Sequence, residues 1–279
     1  MSRGRAGIRG NRSTPATVIG SVLLLLLYAL PLYWLVTTSL KSLDDVFADS
    51  ASLFFVPTLQ AYIDVWNGGF VNSALNSVII AVLTTAIVLL IGIPTAYGLA
   101  RANGAVVSIG LGLLMVLQMV PSTSSLIPLY RLLAQSHLTG TFLGVAIASA
   151  AATLPFAVLL LRPFFSAVPV AIEEAAAIDG AGRMQRFFLI VLPICRNGIA
   201  TVGTLAFIGA WGEFLFAITF LTDPNQYPVS ALLAQQVSTY GINWPGLMAV
   251  SVFVSIPTVL IFLFGQRMLI GGITMGSVR

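Results

Sequence analysis

From Pro15 to Leu40 the chain runs for about 26 residues without a charged side chain. A helix needs roughly 20 apolar residues to cross about 30 Å of hydrocarbon. Water is absent there, so a crossing segment must pair its own peptide groups, and a helix does this within one segment. Six stretches meet the requirement, at about 15–40, 73–100, 105–130, 141–161, 197–221 and 245–265. The predicted fold is an all-α membrane protein with six transmembrane helices, a basic arm over 1–14 and one transmembrane domain over 15–279. Charged residues make up 8% of the chain, against roughly a quarter in a soluble domain, so lipid must be the main solvent.

Positive side chains are retained on the cytoplasmic side of a membrane. With the N-terminus inside, 11 of the 13 Lys and Arg residues fall on inner segments, leaving Lys41 and Arg131 outside. Both termini are therefore expected in the cytoplasm. The arm carrying Arg3, Arg5, Arg9 and Arg12 is expected to lie against anionic headgroups, and the long first apolar run reads as an uncleaved anchor. Pro31, Pro94, Pro121, Pro128, Pro155 and Pro257 fall inside the spans, where a missing backbone donor bends a helix.

Several chemistries find no residues to carry them. One histidine, His137, and one cysteine, Cys195, offer no His/Cys metal cluster. The single lysine, Lys41, follows Leu40 rather than glycine, so no P-loop can form. The basic residues are dispersed between apolar runs and make no nucleic-acid face. No acid–base pair for an enzyme stands out either.

The loop 162–196 differs from the rest by mixing charges of both signs with small residues. Pro169 suits a helix start, Glu173 and Glu174 suit the first turns where the macrodipole favours acids, and Gly180 suits a left-handed stop. These signals predict a short helix, a glycine break and a second helix. Ala171, Ala175 and Ile178 share one side of the first helix. A helix this short is marginal alone, because nucleation is costly, and gains its stability from a partner.

This loop reads Glu174-Ala175-Ala176, then Gly180, then Ile190, then Leu192-Pro193. In residues and spacing it resembles the cytoplasmic signature of the inner-membrane permease subunits of bacterial ABC importers. Asn72-Ser73-Ala74-Leu75-Asn76-Ser77, the stretch Phe207 to Phe214 with Trp211 and Glu213, and Gln266-Arg267 with Gly271 to Gly276 are similar to the carbohydrate branch, in particular its smaller maltose-type permease. Gly212 stands where that branch usually has Asn.

The resemblance implies a sugar importer in which this chain forms half of the pathway through the bacterial inner membrane. Its partners would be a second permease, two ATPase subunits that bind ATP and Mg, and an extracytoplasmic solute-binding protein. The chain itself would hold no cofactor. Glu174, Ala175, Ala176 and Gly180 would form the coupling helix between spans four and five, with Ile190, Leu192 and Pro193 fixing the exit into span five.

Two residues outside the loop are candidate contacts along the pathway or with the partner permease. Glu213 is the one acidic residue well inside a predicted span, where an ionisable group is costly and must face protein or water. Asn76 lies near an outer helix end and can bond either a sugar hydroxyl or a neighbouring helix. An alternative function, an ion-coupled secondary transporter, would use Glu213 as its ion site. Trp211, Trp244, Tyr227 and Tyr240 can stack on sugar rings or form interfacial belts, and the belt is the expected role.

Overall fold

The computed structural model describes residues 15–48, 52, 54–238 and 241–276; the basic arm 1–14, Asp49, Tyr240 and Arg279 lie outside the described residues. Among the described residues, four helical segments are long and apolar enough to cross a membrane: Thr17–Ser39, Gln60–Arg101, Phe142–Ser166 and Trp244–Leu263. Two more crossings arise when each of two bent helix pairs counts as one.

The third span expected over 105–130 falls on a bent pair rather than one straight helix. Helix Ala105–Gln118 and helix Ser122–Gln135 meet at 98°. Pro121 adopts an extended ψ of 136° and supplies no backbone N–H, so the helical ladder cannot continue through it. The second helix runs on to Gln135 and carries Arg131 within it. The expected fifth span, 197–221, is also interrupted. Helix Arg196–Trp211 ends at Gly212, and a separate helix, Leu215–Phe220, follows. On its other side Arg196–Trp211 meets the segment Arg183–Ile194 at 75°.

Three other long helices outrun their expected limits. Val71–Arg101 begins after a π turn in which Gly69 takes a φ of 95°, open to glycine at little cost. Phe142–Ser166 extends past Arg162, and Trp244–Gly276 past residue 265. A two-stranded antiparallel ribbon pairs Val237 with Ile242 and Ser238 with Gly241, so among the described residues the architecture is helical with one small β element.

The centre of the bundle is helix Val71–Arg101 packed along Phe142–Ser166 and then Arg196–Trp211. Small side chains line this contact, including Gly92, Ala96, Ala150 and Ala157. With lipid outside, close backbone approach rather than water exclusion drives such packing. Towards one end Val88, Val158, Leu161, Phe165 and Val191 form a cluster; towards the other Ile80, Leu133, Val145, Phe216 and Phe220 form a second. A third gathers Val65, Phe70, Trp211 and Val250, with the Trp211 indole donating to the Val254 carbonyl at 3.1 Å. Helix Pro15–Ser39 lies against Trp244–Gly276 and leaves most of its leucines exposed, Leu25 by 67%. In hydrocarbon that exposure carries no penalty.

Candidate functional site: the docking helix and its anchor

The loop that mixes charges folds as helix Val170–Ile178, entered through Pro169 with ψ 132° and left through Gly180 with φ 87°. The Gly180 N–H donates to Ala177 O at 3.1 Å and the Ala181 N–H to Ala176 O at 2.9 Å, a glycine stop that satisfies two carbonyls at the helix end. Gly182 then opens the next helix, with its N–H donating to the Gln185 side chain at 2.8 Å. The return segment includes a π turn over Arg186–Val191.

The two faces of Val170–Ile178 differ sharply. Ala171, Ile172, Glu174, Ala175 and Ala177 are exposed, and Ile178 is 87% exposed. Glu173 points the other way and is only 6% exposed. Arg101 Nε donates to Glu173 Oε1 at 2.6 Å, and Nη2 lies 2.6 Å from the same oxygen. The second carboxylate oxygen accepts from the Tyr97 hydroxyl at 2.6 Å. Arg101 is itself fully engaged, with Nη1 donating to Phe165 O at 3.0 Å and Nη2 to Val168 O at 3.1 Å. The Phe165 carbonyl is in the last turn of helix Phe142–Ser166, where intrahelical partners run out and the macrodipole is negative, and Val168 lies in the connection just after it. One guanidinium therefore joins three helices.

Beside this anchor is a cavity of about 1000 Å³, lined by Pro94, Tyr97, Glu174, Arg186, Phe187 and Leu192 among others. Helix Val170–Ile178 thus stands clear of helix Val71–Arg101 over part of its length. Of the remaining loop residues, Ile190 and Leu192 are half-buried and Pro193 is exposed at the turn into Arg196–Trp211.

The two candidates inside the bundle make internal hydrogen bonds. Glu213 sits in the break after Trp211, accepting from Ser149 Oγ at 3.0 Å and from the Phe216 N–H at 2.9 Å. Its own carbonyl accepts from Ser230 Oγ at 2.6 Å. Asn76 donates its side-chain amide to Asn225 O at 2.8 Å and Tyr227 O at 3.2 Å, and Asn72 adds a third bond to Asn225 O at 2.6 Å. Ser77 accepts from the Val229 N–H at 3.1 Å. Together they fasten the turn Pro224–Gln226 to the helix end.

Residues 88–274 match the family model described as binding-protein-dependent transport system inner membrane component. The chain belongs to this family. Among relatives, the permease is 34% identical to a probable ABC transporter permease, YurM, of Bacillus subtilis, covering 92% of this chain and 86% of that one. It is 30% identical to the sulfoquinovosyl glycerol transport system permease SmoH of Agrobacterium fabrum, covering 95% and 94%. It is 29% identical to the trehalose/maltose transport system permease MalG of Thermococcus litoralis, covering 94% and 95%. In fold it is similar to a chain of a bacterial ABC transporter that imports the acidic polysaccharide alginate, with a TM-score of 0.74 and 22% identity over 92% of this chain and 98% of that one.

The permease is thus a multi-pass inner-membrane transport component. Its anchor residues Arg101, Tyr97 and Glu173 were absent from the sequence-derived candidates. The available signal was the pair Glu173-Glu174: on a helix, adjacent positions point about 100° apart, so both carboxylates cannot face solvent equally. The one turned inward then requires a cation.

Proposed function

We propose that this permease forms half of the transmembrane path of an ABC importer for a sugar or sugar-like solute. It would cross the membrane six times, with both termini in the cytoplasm. Its partners are a second permease, two ATPase subunits that carry ATP and Mg, and an extracytoplasmic solute-binding protein. Sugar is the favoured class because relatives matching nearly the full length are named for sulfoquinovosyl glycerol and trehalose/maltose transport.

The observation that carries the mechanism is the two-faced helix Val170–Ile178. Its outer face, with Glu174, Ala175 and Ile178, is unpartnered in the single chain, and its inner face is fixed by a buried ion pair. We read this helix as the coupling helix, seated in a cleft of the ATPase. Ala175 and Ala176 permit close approach, Glu174 offers a carboxylate, and Gly180 ends the helix so that the chain can turn back. Ile190, Leu192 and Pro193 guide it into the next membrane helix. Closure of the ATPase pair on ATP would move the seated helix and, through it, the bundle.

Glu213 and Asn76 remain proposed contacts near the path or the partner permease, acting through the segments they hold. An ion-coupled carrier centred on Glu213 is disfavoured by membership of a binding-protein-dependent family. Reconstitution in liposomes tests the reading. Import should require the cognate binding protein and ATPase, and import sustained by an ion gradient without the ATPase would overturn it. Thermal shifts of the cognate binding protein across a panel of mono- and disaccharides, amino sugars and sugar phosphates identify the solute, since binding to the native state raises its apparent stability.

A further inference from the structure

Three connections leave helix Val170–Ile178. The chain joins it directly to Phe142–Ser166 through Ala167 to Pro169, and to the return segment through Gly180 to Gly182. The third is not covalent: Glu173 to Arg101 and Tyr97, 72 and 76 residues away in sequence. Helix Val71–Arg101 is the central element of the bundle, yet it has no chain connection to the docking helix. The cavity between them removes packing as a route over part of the gap. The Tyr97 ring also lies 4.8 Å from Phe187 on the return segment and 5.9 Å from Phe165 at the end of Phe142–Ser166.

We propose that Arg101 and Tyr97 are positioning residues for coupling: they form the joint through which displacement of the docking helix reaches helix Val71–Arg101. This rests on the docking assignment above and adds the residues that receive the motion. The chemistry suits a rigid joint. A planar guanidinium holds a carboxylate and two carbonyls in fixed directions at once, which an ammonium on a flexible stem cannot do. The carboxylate is buried and the guanidinium partly so, which limits competing water and strengthens these bonds while the helix is loaded. With Glu173 held in this way, a push on the exposed face of the helix is delivered at Arg101, the last residue of the bundle's central helix.

The experiment uses the assembled complex of permease, partner permease and cognate ATPase in lipid nanodiscs. Spin labels are placed at Ala177 on the docking helix and at Gly98 on the central helix, where an added side chain meets open space, in a Cys195→Ser background. Distances are read without nucleotide, with ATP, and with ADP–vanadate. In the wild-type pairing the two labels should move together, their separation holding within about 2 Å across the three states, the scale of ordinary helix shifts. In Glu173→Gln the separation should change between states by more than that. Tyr97→Phe, which removes only a hydroxyl, should give a smaller change in the same direction and supplies the test if Glu173→Gln does not assemble.

Conserved separation in every assembled variant overturns the joint. A wild-type label at Ala177 that is not immobilised by the ATPase overturns the docking assignment, and the joint falls with it. Immobilisation at Ala177 with no effect of Glu173→Gln or Tyr97→Phe removes the joint alone.

Discussion

The Ser149 hydroxyl donates to Glu213 Oε2 at 3.0 Å, tying helix Phe142–Ser166 to the break between Trp211 and Leu215. The other carboxylate oxygen takes the Phe216 N–H, one of the unsatisfied donors at the start of helix Leu215–Phe220. The carboxylate thus caps the helix that follows an interruption in a membrane segment and ties it to a neighbouring helix.

Glu213→Ala should accordingly act on the fold. It leaves the Phe216 N–H and the Ser149 hydroxyl without this acceptor, at about 1–3 kcal/mol. Glu213→Gln retains an acceptor and should cost less. Thermal unfolding in detergent checks the order, and import per assembled complex should change little in Glu213→Gln.

Gly180→Ala places a Cβ at φ 87°, a left-handed conformation that costs a non-glycine residue about 1–2 kcal/mol. Gly180→Pro is more severe, because proline is locked near −65° and also loses the N–H that bonds Ala177 O. ATPase recovered with the purified permease should fall modestly in the first and sharply in the second, with membrane insertion unchanged in both. Equal recovery in all three proteins would count against a role for this stop in docking.

Two glycines of helix Arg196–Trp211 should respond in opposite directions to alanine. A Cβ at Gly198 would lie 2.4 Å from Phe164 Cγ, so the ring or helix must shift, at about 1–3 kcal/mol. A Cβ at Gly209 meets nothing within 4 Å, and alanine there should stabilise by up to about 1 kcal/mol through helix propensity. Melting temperatures of Gly198→Ala and Gly209→Ala, compared in one detergent, decide this.

Asn76→Leu deletes both amide bonds to the turn at Pro224–Gln226 while keeping a similar volume. The expected loss is about 1–3 kcal/mol, confined to the turn. Faster hydrogen exchange over 223–228 with unchanged solute preference is the expected outcome. A changed solute preference would instead place Asn76 on the path.

Local chemistry made part of this structure legible in the sequence. A proline entry, early acids and a glycine exit are each governed by the few residues beside them, and helix Val170–Ile178 has these limits. The apolar runs located the long helices for the same reason. Pro121 was visible as a bend, but its size was not, because a proline breaks the ladder while neighbouring packing sets the angle. The anchor was hidden for a different reason. Glu173 and Glu174 are alike in composition and both lie early in the helix, and only the three-dimensional path brings Arg101 to one of them. Asn76 and Glu213 were visible as costly polar groups, while the carbonyls and amides that satisfy them lie on distant segments.

The elbow at Pro121 has a consequence for the membrane around it. Each arm has 14 residues and rises about 21 Å, short of the hydrocarbon thickness, so neither arm spans the bilayer alone if it stands upright. At the corner the ladder is open, and peptide groups left there cannot be abandoned to lipid tails. The corner must sit at a wetted surface, in an aqueous vestibule or against a neighbouring subunit, and water-soluble spin-relaxation agents reaching Met119 or Val120 would tell these surroundings apart.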